Sequence, residues 1–236
     1  MLDSIIFDFD STLVDYHYSD TQALNRVVDM LPIKIDNDQF RNKSGEIICQ
    51  LYDQGLRLGS KVHKERLKIT LDFFEIDWCE SYLKEYLEVY INETKPYEFV
   101  FEFLDSLNGK IKIGLLTNSM DSFEQRARIK KSELSHYFDV VCIASEIGSY
   151  KPNREAFEIT LRKLNASADN SVFIGDSEEY DIKGSKSADM IAIKKDNKIV
   201  RPTIADYRFS DYRELNEILK ILENNLKRNR PTTGST

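Results

Sequence analysis

The chain opens almost at once on an apolar run, Ile5-Ile6-Phe7, that ends in Asp8-Phe9-Asp10-Ser11-Thr12-Leu13. Apolar residues without polar alternation read as a strand buried on both faces, as in the middle of a parallel sheet. Then the period changes. Tyr16, Ala23, Leu24, Val27, Val28 and Leu31 recur at three- and four-residue spacing until Pro32 breaks the pattern. Further helical stripes run through Ile47, Ile48, Leu51 and Tyr52, through Leu67, Leu71 and Phe74, and through Tyr82, Leu83, Tyr86, Leu87, Tyr90 and Ile91. No strand pattern interrupts residues 15–94, which predicts a helical bundle whose aromatic stripe is its core.

Beyond Pro96 the pattern alternates. A helix over 99–107, stopped by Asn108-Gly109, precedes a strand at 111–116, a polar helix carrying Phe123, Ala127 and Ile129, and a strand at 140–144. A helix marked by Ala156, Phe157, Thr160, Leu161 and Leu164 follows, then a strand at 172–174, a short helix at 181–188 and a strand at 190–193. The last helix carries Leu215, Ile218, Leu219, Leu222 and Leu226. Repeated strand–helix units imply a parallel sheet with helices on both faces, and the first strand must join it to bury its own two apolar sides. The expectation is an α/β protein: a Rossmann-like, doubly wound core at 1–14 and 95–228, an all-helical domain inserted at 15–94, and a polar, disordered tail at 229–236.

Composition narrows the chemistry. Among 236 residues, 33 basic side chains face 40 acidic ones, for a formal charge of −7. That balance argues against a nucleic-acid polymer or an anionic membrane as partner, since both reward a basic surface. Cys49, Cys79 and Cys142 are sparse and odd in number, with no Cys-x-x-Cys pair, as in a reduced cytoplasmic protein without zinc. Cys49 and Cys142 have apolar neighbours and read as small core residues. No basic start leads into a long apolar segment, so neither secretion nor membrane insertion is expected. A monomer or small homo-oligomer fits.

Open parallel sheets bind ligands outside the carboxyl ends of their strands, so the residues after each apolar run are the candidates. The first run delivers Asp8 and Asp10, the second Thr117-Asn118-Ser119. The third leads to Ser145-Glu146 and then to Gly148-Ser149-Tyr150-Lys151-Pro152, and the fourth delivers Gly175-Asp176-Ser177 with Asp181 a turn later. Each has an ordinary reading as well: an acidic turn, a helix cap at Thr117 or Asn118, a solvated loop lysine, a helix-start acid at Asp181. Two like charges at a buried strand end nevertheless repel and lose hydration, and a hard dication such as Mg²⁺ answers both costs. Three or four carboxylates, a hydroxyl with adjacent amides, and one cation form a set that holds Mg²⁺ and a phosphoryl group together.

In this order the motifs Phe7-Asp8-Phe9-Asp10-Ser11-Thr12-Leu13, Leu115-Leu116-Thr117-Asn118-Ser119, Lys151-Pro152 and Gly175-Asp176-Ser177 with Asp181 resemble a haloacid dehalogenase superfamily phosphatase, from residue 5 to about 190. The insertion resembles that family's helical cap of the first type, in its nucleotidase-like or sugar-phosphatase-like branches. The resemblance implies that Asp8 attacks phosphorus and forms an aspartyl-phosphate, and that Asp10 is the general acid and then the base. It implies Mg²⁺ held by the Asp8 carboxylate, the Asp10 carbonyl and Asp176. Thr117, the Asn118 amide and Lys151 would bind phosphoryl oxygens, with Asp181 orienting metal-bound water or Lys151. An acid at Asp10 favours phosphate esters over carbon–halogen bonds, which leave no alkoxide to protonate. Ser11 stands where the family often has Gly, which is tolerated where the backbone is not left-handed.

The implied activity is Mg²⁺-dependent hydrolysis of a small phosphorylated metabolite. A phosphomutase on the same scaffold and a non-catalytic phosphate-sensing protein are the alternatives. Tyr16, His17 and Tyr18 follow the first motif and form either part of a flap or exposed loop. Arg57, Lys61 and Arg66 either meet an anionic substrate or lie on a solvated helix face.

Overall fold

The computed structural model describes residues 2–54, 60–107, 109–196 and 201–228. The first apolar run forms β1 (Ser4–Phe7), buried along its whole length. Among the described residues five helices separate it from the next strand: α1 (Tyr16–Asp29), α2 (Asn37–Asp53), α3 (Ser60–Phe73), α4 (Glu80–Asn92) and α5 (Val100–Leu107). The chain continues through β2 (Lys112–Thr117), α6 (Ser122–Lys131), β3 (Val140–Ile143), α7 (Ala144–Ile147), α8 (Arg154–Leu164) and β4 (Ser171–Gly175). The last described elements are α9 (Lys183–Ser187), β5 (Ile191–Lys195), β6 (Tyr207–Phe209) and α10 (Tyr212–Arg228).

The six strands form one parallel sheet in the order β3-β2-β1-β4-β5-β6. This is the doubly wound α/β architecture expected, with β1 at its centre. Four local details differ from the expectation. Ala144 leaves the sheet to open α7 instead of ending β3. The turn before α9 begins earlier, as a single wide π turn at Glu178–Ile182. β5 runs on through Lys194 and Lys195, which look like solvated residues in sequence yet are 6% and 5% exposed. β6 escapes pattern reading because three residues with an exposed arginine in the middle make no periodic signal.

The chain divides into two compact units, one of residues 1–13, 96–117 and 136–236, the other of 14–95 and 118–135. The first holds the sheet. The second holds α1–α4 and also α6, a segment that the sequence reading kept with the core. Its attachment is polar: Arg128 of α6 is buried, lies 4.3 Å from the Tyr90 ring centre and donates from Nε to Thr94 Oγ1 at 3.3 Å. Phe123 of that helix is 87% exposed, while Gln125, Arg128 and Ile129 face inward. The core of the helical unit joins Ala23, Leu24, Val27 and Val28 of α1 to Phe40, Leu67, Leu71, Tyr82, Tyr86 and Tyr90. These are largely the stripes that periodicity picked out. Cys49 is exposed, contrary to expectation: Ile47, Ile48 and Leu51 take the inner face of α2, and one residue past Ile48 turns away from it. Cys142 is buried as expected.

Candidate active site

β1 and β4 are neighbours where the chain's crossovers change direction, β2 and β3 lying to one side and β5 and β6 to the other. Ligands of open parallel sheets bind at such a switch point. The register pairs Phe7 with Ile174, and Asp8 N–H donates to the Ile174 carbonyl at 2.9 Å. Asp8 therefore leaves β1 beside Gly175, and Asp176 follows one residue beyond.

Lys151 joins this pair from the loop after α7, next to a cis bond to Pro152. Its ammonium donates to Asp8 Oδ1 at 2.6 Å and to Asp181 Oδ1 at 2.7 Å, and it is only 4% exposed. The other oxygen of Asp181 accepts from the Ser177 amide at 2.9 Å. Asp181 can approach so closely only because residue 175 is glycine: a Cβ there would lie 2.4 Å from Asp181 Cβ and 2.6 Å from Oδ2. The second Asp8 oxygen accepts from Thr12 Oγ1 at 3.0 Å. Thr12 lies in a turn in which the Leu13 amide donates to the Phe9 carbonyl at 2.9 Å. Ser11 carries that turn at φ 60. Its backbone is thus left-handed, the conformation that makes glycine usual there, so neighbouring contacts must hold it against its intrinsic preference.

Burial pushes the Asp8 carboxyl up to about 8, with Asp181 and Asp176 adding to the rise and Lys151 opposing it. Burial alone would lower the Lys151 ammonium, but Asp181 and Asp8 together hold it raised. One consequence is measurable in metal-free protein. An acid whose folded pKa is raised binds its proton more tightly when folded, so its contribution to stability is present below the unfolded value and is lost as pH rises toward 8. Asp8→Asn removes that dependence. The stability of the Asn variant relative to the natural protein is expected to grow between pH 5 and pH 8 in EDTA. A constant difference in denaturant melts across that range would contradict the assignment.

One oxygen each from Asp8, Asp176 and Asp181 lies within 4.8 Å of the others. Three carboxylates around one lysine leave an excess of negative charge in a largely buried place, and these hard oxygen donors fit a dication of the Mg²⁺ type. Asp10 adds no carboxylate to this group among the described residues, and its expected part as a metal ligand was through its carbonyl. Thr117 ends β2 and is 1% exposed. Asn118 begins the helical unit's second segment and is exposed.

The other candidates separate. Arg57 lies outside the described residues, as does the tail at 229–236. His17 and Lys61 are exposed. Arg66 is on no solvated face: it is fully buried, and its Nη2 donates to Asp20 Oδ1 at 2.7 Å. Tyr86 donates to the same carboxylate and also meets His63 Nδ1 at 3.2 Å. Burial, with Arg66 adding, pushes His63 down to about 3, so it is neutral.

With this geometry the family can be stated. The chain belongs to the haloacid dehalogenase-like hydrolases, whose family model matches residues 5–194. It is 26% identical to the glyceraldehyde 3-phosphate phosphatase of Methanocaldococcus jannaschii over 234 residues, covering 94% of this chain and 99% of that one. It is 27% identical to the pyrimidine 5'-nucleotidase YjjG of Escherichia coli, covering 79% of this chain and 74% of that one. Among solved structures, the HAD-hydrolase YfnB of Bacillus subtilis, bound to magnesium, shares the fold with a TM-score of 0.78 at 23% identity, covering 92% of this chain and 98% of that one. Among the described residues no helix is long and apolar enough to cross a membrane.

Proposed function

We propose that the protein is a Mg²⁺-dependent phosphomonoesterase that hydrolyses a small phosphorylated metabolite through an aspartyl-phosphate on Asp8. The observation that carries this reading is Asp8 itself, a strand-end carboxylate oriented by Lys151 and Thr12, with a second acid two residues on. Asp8 attacks phosphorus and the ester oxygen leaves with a proton from Asp10. Asp10 then takes a proton from the water that hydrolyses the acyl phosphate. Lys151 balances charge spread over the phosphoryl oxygens, and the Thr117 hydroxyl with the Asn118 amide binds them. Asp181 keeps Lys151 in place. Asp8, Asp176 and the Asp10 carbonyl would hold Mg²⁺, which when bound relieves repulsion between the anionic nucleophile and its anionic substrate.

The same reading makes residues 15–94 a cap on a core of 1–14 and 95–228, and the cap the part that chooses the leaving group. A triose-phosphate phosphatase and a nucleotidase among the relatives support a small monoester as substrate. A reduced, cytoplasmic setting agrees with three free cysteines. The test is phosphate release from a panel of sugar phosphates, nucleoside monophosphates and small acid phosphates with Mg²⁺. At least one is expected to turn over, to stop on chelation and to resume when Mg²⁺ is restored. Silence across the panel would refute the reading, and isomerised sugar phosphate without free phosphate would make the protein a mutase.

A further inference from the structure

The turn after the nucleophile is held from outside the stretch that matches the family model. Tyr212, the first residue of α10, donates from its hydroxyl to the Thr12 carbonyl at 2.8 Å. Lys195, the last residue of β5, donates from Nζ to the Ser11 carbonyl at 3.1 Å and lies 3.7 Å from the Tyr97 ring centre. Both side chains are buried, Tyr212 at 2% and Lys195 at 5% exposure. The Tyr212 ring is fixed in turn by Phe209 and Phe103, with centroids 5.2 and 5.8 Å away.

We propose that Tyr212, together with Lys195, is a positioning residue for phosphoryl transfer: it holds the strained Ser11–Thr12 turn, and through Thr12 it aims the Asp8 carboxylate. The relay is continuous. The Tyr212 hydroxyl fixes the Thr12 backbone, and the Thr12 hydroxyl donates to Asp8 Oδ2. A turn that stands in a left-handed conformation on a serine relaxes when its external contacts go, because no intrinsic preference keeps it. Asp10 lies in the same loop, one residue before that serine, so the nucleophile and the proposed acid move together when it relaxes. In-line attack tolerates little displacement, and an error near 1 Å costs roughly 10²-fold. Neither Tyr212 nor Lys195 need touch the substrate for this. Each acts on a backbone carbonyl of the turn.

The inference rests on the phosphatase reading for its kinetic consequence and on geometry alone for its structural one. The experiment therefore has two arms. Tyr212→Phe keeps the packed ring and removes one hydrogen bond. It is expected to speed amide hydrogen exchange in residues 9–13 of metal-free protein by several-fold, while the sheet strands stay protected and the melting temperature moves little. With a substrate from the panel, kcat is expected to fall about fivefold to tenfold, the scale of one hydrogen bond, with KM within about twofold. Lys195→Met, which keeps the aliphatic stem, should act in the same direction, and the double variant should lose roughly 10²-fold in kcat. Unchanged exchange in residues 9–13 with unchanged kcat would overturn the proposal. So would an effect confined to KM, or a loss of kcat matched by global unfolding. Faster exchange in a protein that hydrolyses no monoester would leave the positioning role standing and remove the phosphatase reading instead.

Discussion

Asp8→Asn is expected to abolish turnover and leave the fold intact. The variant keeps size and shape, and its amide oxygen still accepts from Lys151, which also keeps its 2.7 Å contact with Asp181. The Thr12 hydroxyl, a donor to Asp8 Oδ2 here, can turn to accept from the new amide group. What is lost is the anionic oxygen that forms the bond to phosphorus. Removing a covalent nucleophile costs about 10⁴-fold or more in other two-step hydrolases, or about 5 kcal/mol at 1.36 kcal/mol per decade. Burial already disfavours the Asp8 charge, so neutralising it carries no folding penalty of its own. Steady-state phosphate release and a thermal melt check the two halves separately. Activity within tenfold of the natural protein would remove Asp8 from the nucleophile's place, and a collapsed melt would mean that the carboxylate is needed for folding.

How much of this site could be read beforehand follows from what each residue needs. Lys151, Asp176 and Asp181 lie within 30 positions of one another and Asp8 lies 143 before Lys151, yet the parallel-sheet rule predicts that strand ends converge, and the structure brings these four together. Thr12 was visible as part of the first motif, but its bond to the Asp8 carboxylate depends on a left-handed turn at Ser11 that serine does not advertise. Tyr212 and Lys195 had no local signal at all. One is an aromatic residue at a helix start and the other a lysine after a lysine, and only the sheet order and the return of α10 give them their partners. Arg66 was legible in part. Val62, His63, Arg66, Leu67, Thr70 and Leu71 follow the three- and four-residue spacing of a buried helix face, and that spacing should outweigh the usual preference of arginine for water. Charge is the reason it did not: a guanidinium enters a core only when a partner elsewhere in sequence accompanies it, and Asp20 lies on another helix.

That partner carries the other large effect. Asp20→Asn is expected to destabilise the helical unit by about 3 kcal/mol, the lower end of the cost of breaking a buried ion pair because Asp20 keeps 16% side-chain exposure. Burial alone would raise the Asp20 carboxyl, but Arg66 holds it below the usual carboxylate range, so the pair stabilises above the unfolded value and is lost as pH falls through the folded one. The substitution leaves Arg66 charged and fully enclosed. Its Nε and Nη1 already have no hydrogen-bond partner among the described residues, so Nη2 on Asp20 is its one strong bond. The Tyr86 ring, 5.0 Å from the guanidinium, offers only a weaker cation–π contact. The penalty therefore comes from the orphaned cation more than from the lost attraction. Arg66→Met placed on top of Asp20→Asn should accordingly recover much of the loss, since it removes the unpaired charge and keeps the aliphatic packing against Tyr86. Denaturant melts of the two single variants and the double variant, at pH 7 and again in steps from about pH 4 down to about pH 2, decide this. Additive losses in the double variant would mean that the two side chains do not stabilise one another. A deficit in Asp20→Asn that did not shrink toward acid would mean that the carboxylate, as an anion, is not what holds Arg66 in the core.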